Sequence, residues 1–119
     1  MSVDTKISAD ERVAIAYEMT EHYNRQDVDA YVARMTDDAC EALYRGAMLR
    51  EGREGIRTGL KTIFAQYPQN RAEILGTTSV GDTVLLYETV TREPGGESFK
   101  TVSIYSFEGD RVSRVEFVR

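Results

Sequence analysis

Residues 71–119 read RAEILGTTSVGDTVLLYETVTREPGGESFKTVSIYSFEGDRVSRVEFVR, and this stretch decides the architecture. Four runs within it, 72–80, 83–92, 98–108 and 111–118, are rich in Val, Ile, Thr, Tyr and Phe. Those residues suit a pleated, half-buried surface, so each run reads as a strand. Gly81-Asp82 and Gly109-Asp110 supply the turn chemistry of tight hairpins. Glu93-Pro94-Gly95-Gly96 makes a longer link, because Pro94 has no N–H to give a central strand. Connections this short join antiparallel neighbours, and the four strands form a meander.

Working back from the meander, the chain becomes helical. Ser8-Ala9-Asp10-Glu11 fits a capping box, and Val13, Ala16, Tyr17, Thr20 and Tyr23 or Asn24 follow at helical spacing. Ile15 and Met19 widen the apolar face, so this helix packs on two sides. Asn24-Arg25-Gln26 ends it. Asp27 is a second N-cap, and Val28, Tyr31, Val32 and Met35 make a short second helix before Asp37-Asp38 interrupt the pattern. Residues 39–44 and 47–50, separated by Gly46, suggest a strand pair. Ile56, Leu60, Ile63 and Phe64 then line one side of a third helix ending near Tyr67-Pro68. Gly55 and Gly59 weaken that helix by about 1 kcal/mol each relative to Ala. It therefore depends on tertiary packing, or a neighbour approaches its backbone closely.

Composition narrows the function classes. The 119 residues suffice for one domain with its own core, and 41% hydrophobic with 29% charged residues is a globular balance. The net charge of −5, with no basic stripe, argues against nucleic-acid binding. Cys40 is the sole cysteine and His22 the sole histidine, which rules out an intrachain disulfide and a Cys/His zinc cluster. Residues 1–7 lack the apolar core of a signal peptide, and no apolar run approaches the roughly 20 residues that span a bilayer. These features point to the cytoplasm and to no membrane partner.

The order helix, helix, strand pair, helix, meander resembles the cone-shaped α+β (cystatin-like) fold of the nuclear transport factor 2 superfamily, three helices packed on a curved antiparallel sheet. Specific residues carry the likeness. Tyr23-Asn24-Arg25-Gln26-Asp27-Val28-Asp29-Ala30 resembles that superfamily's Asn-x-x-Asp-x-Asp helix junction, and Asp37-Asp38-Ala39 the acidic pair opening its first strand. Gly52-Arg53-Glu54-Gly55-Ile56 resembles the start of its third helix, and Phe107-Glu108-Gly109-Asp110-Arg111-Val112 its last hairpin. Within the superfamily, SnoaL-like proteins and ketosteroid isomerases are the nearest in style. The resemblance sets Met19, Leu43 and Ser103 at the isomerase's Tyr, base and acidic-donor positions. Met and Leu carry no transferable proton and a Ser hydroxyl is a weak oxyanion donor, so that isomerisation is not expected.

The resemblance further implies a cone between helices and sheet, with strand residues alternating between the cone and the outer face. That alternation would turn Leu85, Tyr87, Thr89 and Thr91 inward, with Thr101, Ser103, Tyr105 and Phe107, and with Val112, Arg114, Glu116 and Val118. The outer face would carry Val84, Leu86, Val90, Val102, Ile104, Val115 and Phe117, an apolar surface suited to a homodimer. Under this parity Glu116 and Arg114 are the candidate catalytic base and anion clamp, and Met19, Tyr23, Tyr87, Ser103 and Tyr105 the candidate ligand-binding residues. The opposite parity makes the aliphatic set the core of the monomer and Arg114-x-Glu116 a solvated pair.

Other polar groups admit plain readings. His22 is either a shuttle at the rim or a surface residue, and Cys40 a small hydrophobe rather than a nucleophile. Arg45, Arg50, Arg53 and Arg57 either face an anion or balance Glu41, Glu51 and Glu54. No Gly-rich phosphate loop, Gly-x-Ser-x-Gly elbow or metal-ligand spacing occurs, so no cofactor or metal is implied. Two functions remain open: a cofactor-independent isomerase, cyclase or hydrolase acting on a small apolar molecule, or a non-catalytic dimeric binding domain.

Overall fold

A computed structural model describes residues 7–119; the first six residues of the 1–7 stretch discussed above lie outside it. The chain folds as α1 (Ala9–Asn24), α2 (Val28–Ala33), β1 (Met35–Leu43), β2 (Met48–Glu51), α3 (Gly52–Gln66), β3 (Arg71–Val80), β4 (Thr83–Thr91), β5 (Ser98–Glu108) and β6 (Arg111–Val118). The strands form one six-stranded sheet in the order β2-β1-β6-β5-β4-β3. The meander is antiparallel throughout, and β1 joins it by lying parallel to β6. This is the α+β cone that the element order implies.

Local chemistry accounts for the element ends. Ser8 Oγ accepts from the Glu11 N–H and Glu11 Oε1 from the Ser8 N–H, at 3.1 and 3.0 Å, so the capping box is complete. Asp27 caps α2 by accepting from the Ala30 N–H. The second helix stops earlier than its apolar repeat suggests: α2 ends at Ala33, and Met35 opens β1. The cause is sheet pairing, because the Val112 N–H donates to the Arg34 carbonyl and Met35 pairs with Val112. Asn24, the last residue of α1, grips edge strand β3 as another strand would: its amide donates to the Ala72 carbonyl and its oxygen accepts from the Ala72 N–H. That clamp holds α1 over the open end of the sheet.

The core lies between the three helices and the concave sheet face. Met19, Met35, Ile56, Leu86, Val84, Val112 and Val115 are fully enclosed there. Each such side chain contributes about 1.5–3 kcal/mol by leaving water. One charged group sits among them. Glu41 is 1% exposed on the inward side of β1, accepting from Arg50 Nε at 2.6 Å and from the Tyr31 hydroxyl at 2.7 Å. Burial first, and the Glu41 charge second, push the Tyr31 phenol well above its ordinary range, so it stays protonated and donates.

Arg50 reaches Glu41 by crossing the backbone of α3 at Gly59. A Cβ at residue 59 would stand 2.3 Å from Arg50 Cδ and 3.0 Å from Cγ. The glycine that weakens the helix therefore makes room for a buried ion pair. Gly59→Ala gains about 1 kcal/mol of helix propensity but crowds an arginine that cannot move without abandoning Glu41. We expect a net loss of about 1–3 kcal/mol, read as a lower urea midpoint at unchanged slope.

Inward and outward faces differ from the expected parity on two strands. In β4 and β5 the pairs are Val84↔Tyr105, Leu86↔Ser103 and Glu88↔Thr101. Cross-strand partners share a face, so the even-numbered residues of β4 join the odd-numbered residues of β5. Val84, Leu86, Glu88 and Val90 point inward, whereas Leu85, Tyr87, Thr89 and Thr91 lie on the convex side. In β6 a bulge intervenes: Phe107 pairs with Val112 but Ser106 with Arg114, leaving Ser113 extra. One inserted residue reverses the alternation. Val112 points inward as expected, and after the bulge Val115 and Phe117 do so in place of Arg114, Glu116 and Val118. The face of β5 stands as read.

Candidate functional site

A cavity of about 60 Å³ lies between α1, α2 and strands β3 to β6. Its floor is made by buried Thr20, Tyr31, Glu88, Thr101, Ser103 and Tyr105. Half-exposed Arg92 and Phe99 and exposed Arg119 line its mouth. The volume corresponds to about four to six water-sized spheres, less than the roughly 150 Å³ that admits benzene. A ring enters only if mouth side chains move.

Among the described residues, Glu88 is the one acid lining this cavity. It is 5% exposed, and Ser103 Oγ donates to its Oε1 at 2.5 Å. Among the described residues it has no cationic partner, and Oε2 accepts no hydrogen bond. Burial raises its pKa above the ordinary carboxylate value, and the Ser103 hydrogen bond opposes that shift in part. Three phenols line the cavity with it. Burial, and then the Glu88 charge, push the Tyr105 phenol far above its usual range. Tyr31 is committed to Glu41. Tyr23 differs, because its oxygen accepts from Asn70 Nδ2 at 2.7 Å and its own proton stays available to the cavity.

The contrast between the two buried carboxylates is chemical. Glu41 is neutralised by Arg50 and bonded through both oxygens, which makes it part of the fold. Glu88 retains an oxygen with no partner beside open space. The folded-state pKa of Glu88 exceeds that of the unfolded chain, so ionising it opposes folding. That penalty is absent below the unfolded-chain value of about 4.3, develops as pH rises beyond it, and is complete above the folded value. Glu88→Gln is therefore expected to raise the thermal midpoint at neutral pH, with a gain that shrinks to nothing on acidification. A gain independent of pH would assign the effect to something other than the charge.

Of the residues singled out in the sequence, Tyr23, Ser103 and Tyr105 line this cavity. Met19 is fully buried in the core and does not reach it. Tyr87, Arg114 and Glu116 are placed elsewhere, and this corrects the expected site. Tyr87 is 40% exposed on the convex face, with the Lys100 ammonium 5.7 Å from its ring. The bulge in β6 turns Arg114 and Glu116 to the same face, where they pair at 3.5 Å and Arg114 Nη1 lies 3.2 Å from Cys40 Sγ. His22 sits in a network with Glu18 and Arg25 away from the cavity. Glu18 itself is held down to about 2, chiefly by the two hydrogen bonds from Arg34, with burial opposing. Arg50 and Arg57 do meet the acids Glu41 and Glu54, whereas Arg53 meets Asp37.

Glu88 escaped the sequence reading, though a signal was present. It occupies one position of the alternating set Val84, Leu86, Glu88, Val90. A carboxylate on an otherwise aliphatic strand face is costly unless something uses it.

Residues 10–115 match the family model of the SnoaL-like domain. Among solved structures, an uncharacterized cystatin-fold protein from Novosphingobium aromaticivorans is 54% identical, with a TM-score of 0.86 over 91% of this chain and 97% of that one. A candidate polyketide cyclase from Sinorhizobium meliloti is 23% identical, with a TM-score of 0.75 over 87% and 93% of the two chains. TerC, co-crystallized with polyporic acid, is 16% identical, with a TM-score of 0.73 over 90% and 89%. The last two likenesses bear on the fold alone. No curated protein matches the chain. With a family model spanning nearly its whole length and the cone fold in place, this chain belongs to the SnoaL-like family.

Proposed function

We propose that the cone binds a small carbonyl-bearing organic molecule and that Glu88 moves a proton at the carbon beside that carbonyl. One observation carries the reading: a buried carboxyl with a raised pKa and a partnerless oxygen faces a cavity whose floor is otherwise lined by hydroxyl groups. Ionised Glu88 takes the α-proton, and the C–H electron pair moves into the carbonyl as an enolate. The Tyr23 hydroxyl donates to the developing oxyanion, with Tyr105 as the second phenol in reach of the cavity. Glu88, now protonated, returns its proton to another carbon in an isomerisation. In a cyclisation the enolate carbon attacks a second carbonyl, forming a C–C bond, and the new alkoxide takes the proton. Proteins of similar fold include a candidate polyketide cyclase and one crystallized with polyporic acid.

The test is occupancy by a defined probe. Methyl levulinate, a small neutral ketone, is expected to shift the NMR resonances of Glu88, Ser103 and Tyr105 and leave Tyr87 on the convex face unmoved. Shifts confined to the convex face would overturn the site. The narrow cavity favours a second reading, a non-catalytic binding domain. Under it the probe binds without any exchange of its α-protons.

The expected homodimer belongs here as a proposal with a corrected surface. Val84, Leu86, Val90, Val115 and Phe117 face inward, so the convex face retains the rows Tyr87–Val102–Val118 and Leu85–Ile104. Ile104→Glu is expected to convert a dimer to a monomer in sedimentation, and a monomeric wild type at micromolar concentration would end the idea.

A further inference from the structure

The mouth of the cavity carries a charge pattern that the proton-transfer chemistry does not use. Arg92 and Arg119 both lie against the Phe99 ring, their guanidinium carbons 5.1 and 5.9 Å from its centroid. Arg119 also lies over Phe117, and Arg92 over Tyr67. Arg92 Nη1 donates to Asn70 Oδ1 at 2.8 Å, which fixes the arginine through the same amide that orients Tyr23. Among the described residues neither guanidinium makes an ion pair. Arg25, Arg34, Arg50, Arg53, Arg57 and Arg114 pair with acids, whereas Arg12, Arg45, Arg71 and Arg111 share with Arg92 and Arg119 the lack of one among the described residues; what sets these two apart is that both line the cavity. Burial, and then the charge of Arg92, depress the Arg119 pKa, so the two cations oppose each other.

Two neighbouring cations stand at the rim of the pocket with no acid between them among the described residues, in a chain of net charge −5. We propose that Arg92 and Arg119 clamp an anionic group of the ligand, so that the substrates are small organic carboxylates whose carbonyl end lies at Glu88. This rests on the function proposed above and adds the substrate class. A carboxylate at the mouth replaces guanidinium–guanidinium repulsion with charge-assisted hydrogen bonds. Aromatic stacking leaves the in-plane N–H groups of each arginine free to make them. The arrangement also orders the ligand, because its charged end cannot pass to the floor, where Glu88 would repel it.

Levulinate and its neutral methyl ester separate the two claims. By NMR titration at low salt, levulinate is expected to bind about tenfold more tightly than the ester, with the preference lost in Arg92→Gln/Arg119→Gln. Arg119→Gln alone, which leaves the Asn70 contact intact, weakens levulinate and spares the ester. Added salt reduces levulinate binding only. Equal binding of acid and ester, or levulinate binding indifferent to both arginines, overturns the clamp. Ester α-proton exchange that depends on Glu88, without any levulinate preference, would leave the proton-transfer reading standing and remove only the clamp. Arginine-dependent levulinate binding with no Glu88-dependent exchange would do the reverse.

Discussion

Arg50→Ala is expected to cost about 3–5 kcal/mol of folding stability, more than any single aliphatic truncation at the protein surface. Glu41 is 1% exposed, and its charge is tolerated because Arg50 and Tyr31 each occupy one of its oxygens. Removing the guanidinium strands a carboxylate in the core, and the Tyr31 phenol alone cannot offset its lost hydration. The pair is less valuable when removed whole. Glu41→Leu with Arg50→Met fills the same space without charge and recovers most of the loss. Urea denaturation of the three proteins checks the claim. A single-mutant loss below about 1 kcal/mol would mean that water reaches Glu41 and that the pair behaves as a surface bridge.

Glu88→Gln is expected to lower the rate of α-proton exchange in methyl levulinate by about 10²–10⁴. The amide keeps the Ser103 hydrogen bond and nearly the same volume, so the cone retains its shape while losing the acid that lines it. Tyr23→Phe should cost less, because the oxyanion loses one donor and the base remains. Exchange is followed by loss of the proton signal in deuterated buffer. Equal rates in wild type and Glu88→Gln would leave the cone a binding site without chemistry.

Strand positions were legible from sequence because hairpin turns and β-branched runs are local signals. The inward faces of those strands were only partly legible. The face of β5 was read correctly, but that of β4 depends on its register with β5 across the 92–97 connection, which propensity does not encode. The bulge at Ser113 likewise comes from cross-strand pairing, and it moved Arg114 and Glu116 out of the candidate site. Both errors had one source: the aliphatic set was taken as an interface when Val84, Leu86 and Val115 are the core. Gly59 was more informative. Its cost to α3 signalled either dependence on tertiary packing or a close neighbour, and Arg50 is such a neighbour. Tyr23, Ser103 and Tyr105 reached the cavity because helix periodicity and the face of β5 were both sound.

In the proposed reaction Glu88, its pKa raised by burial in the cone, is the working base. The direct measurement is the pH dependence of methyl levulinate exchange, set beside the NMR titration of the Glu88 carboxyl in the same protein. Exchange should rise with pH through a single ionisation that coincides with the carboxyl titration and lies above the ordinary glutamate value. A carboxyl that titrates at or below that value, or an exchange rate that ignores its ionisation, would contradict the account.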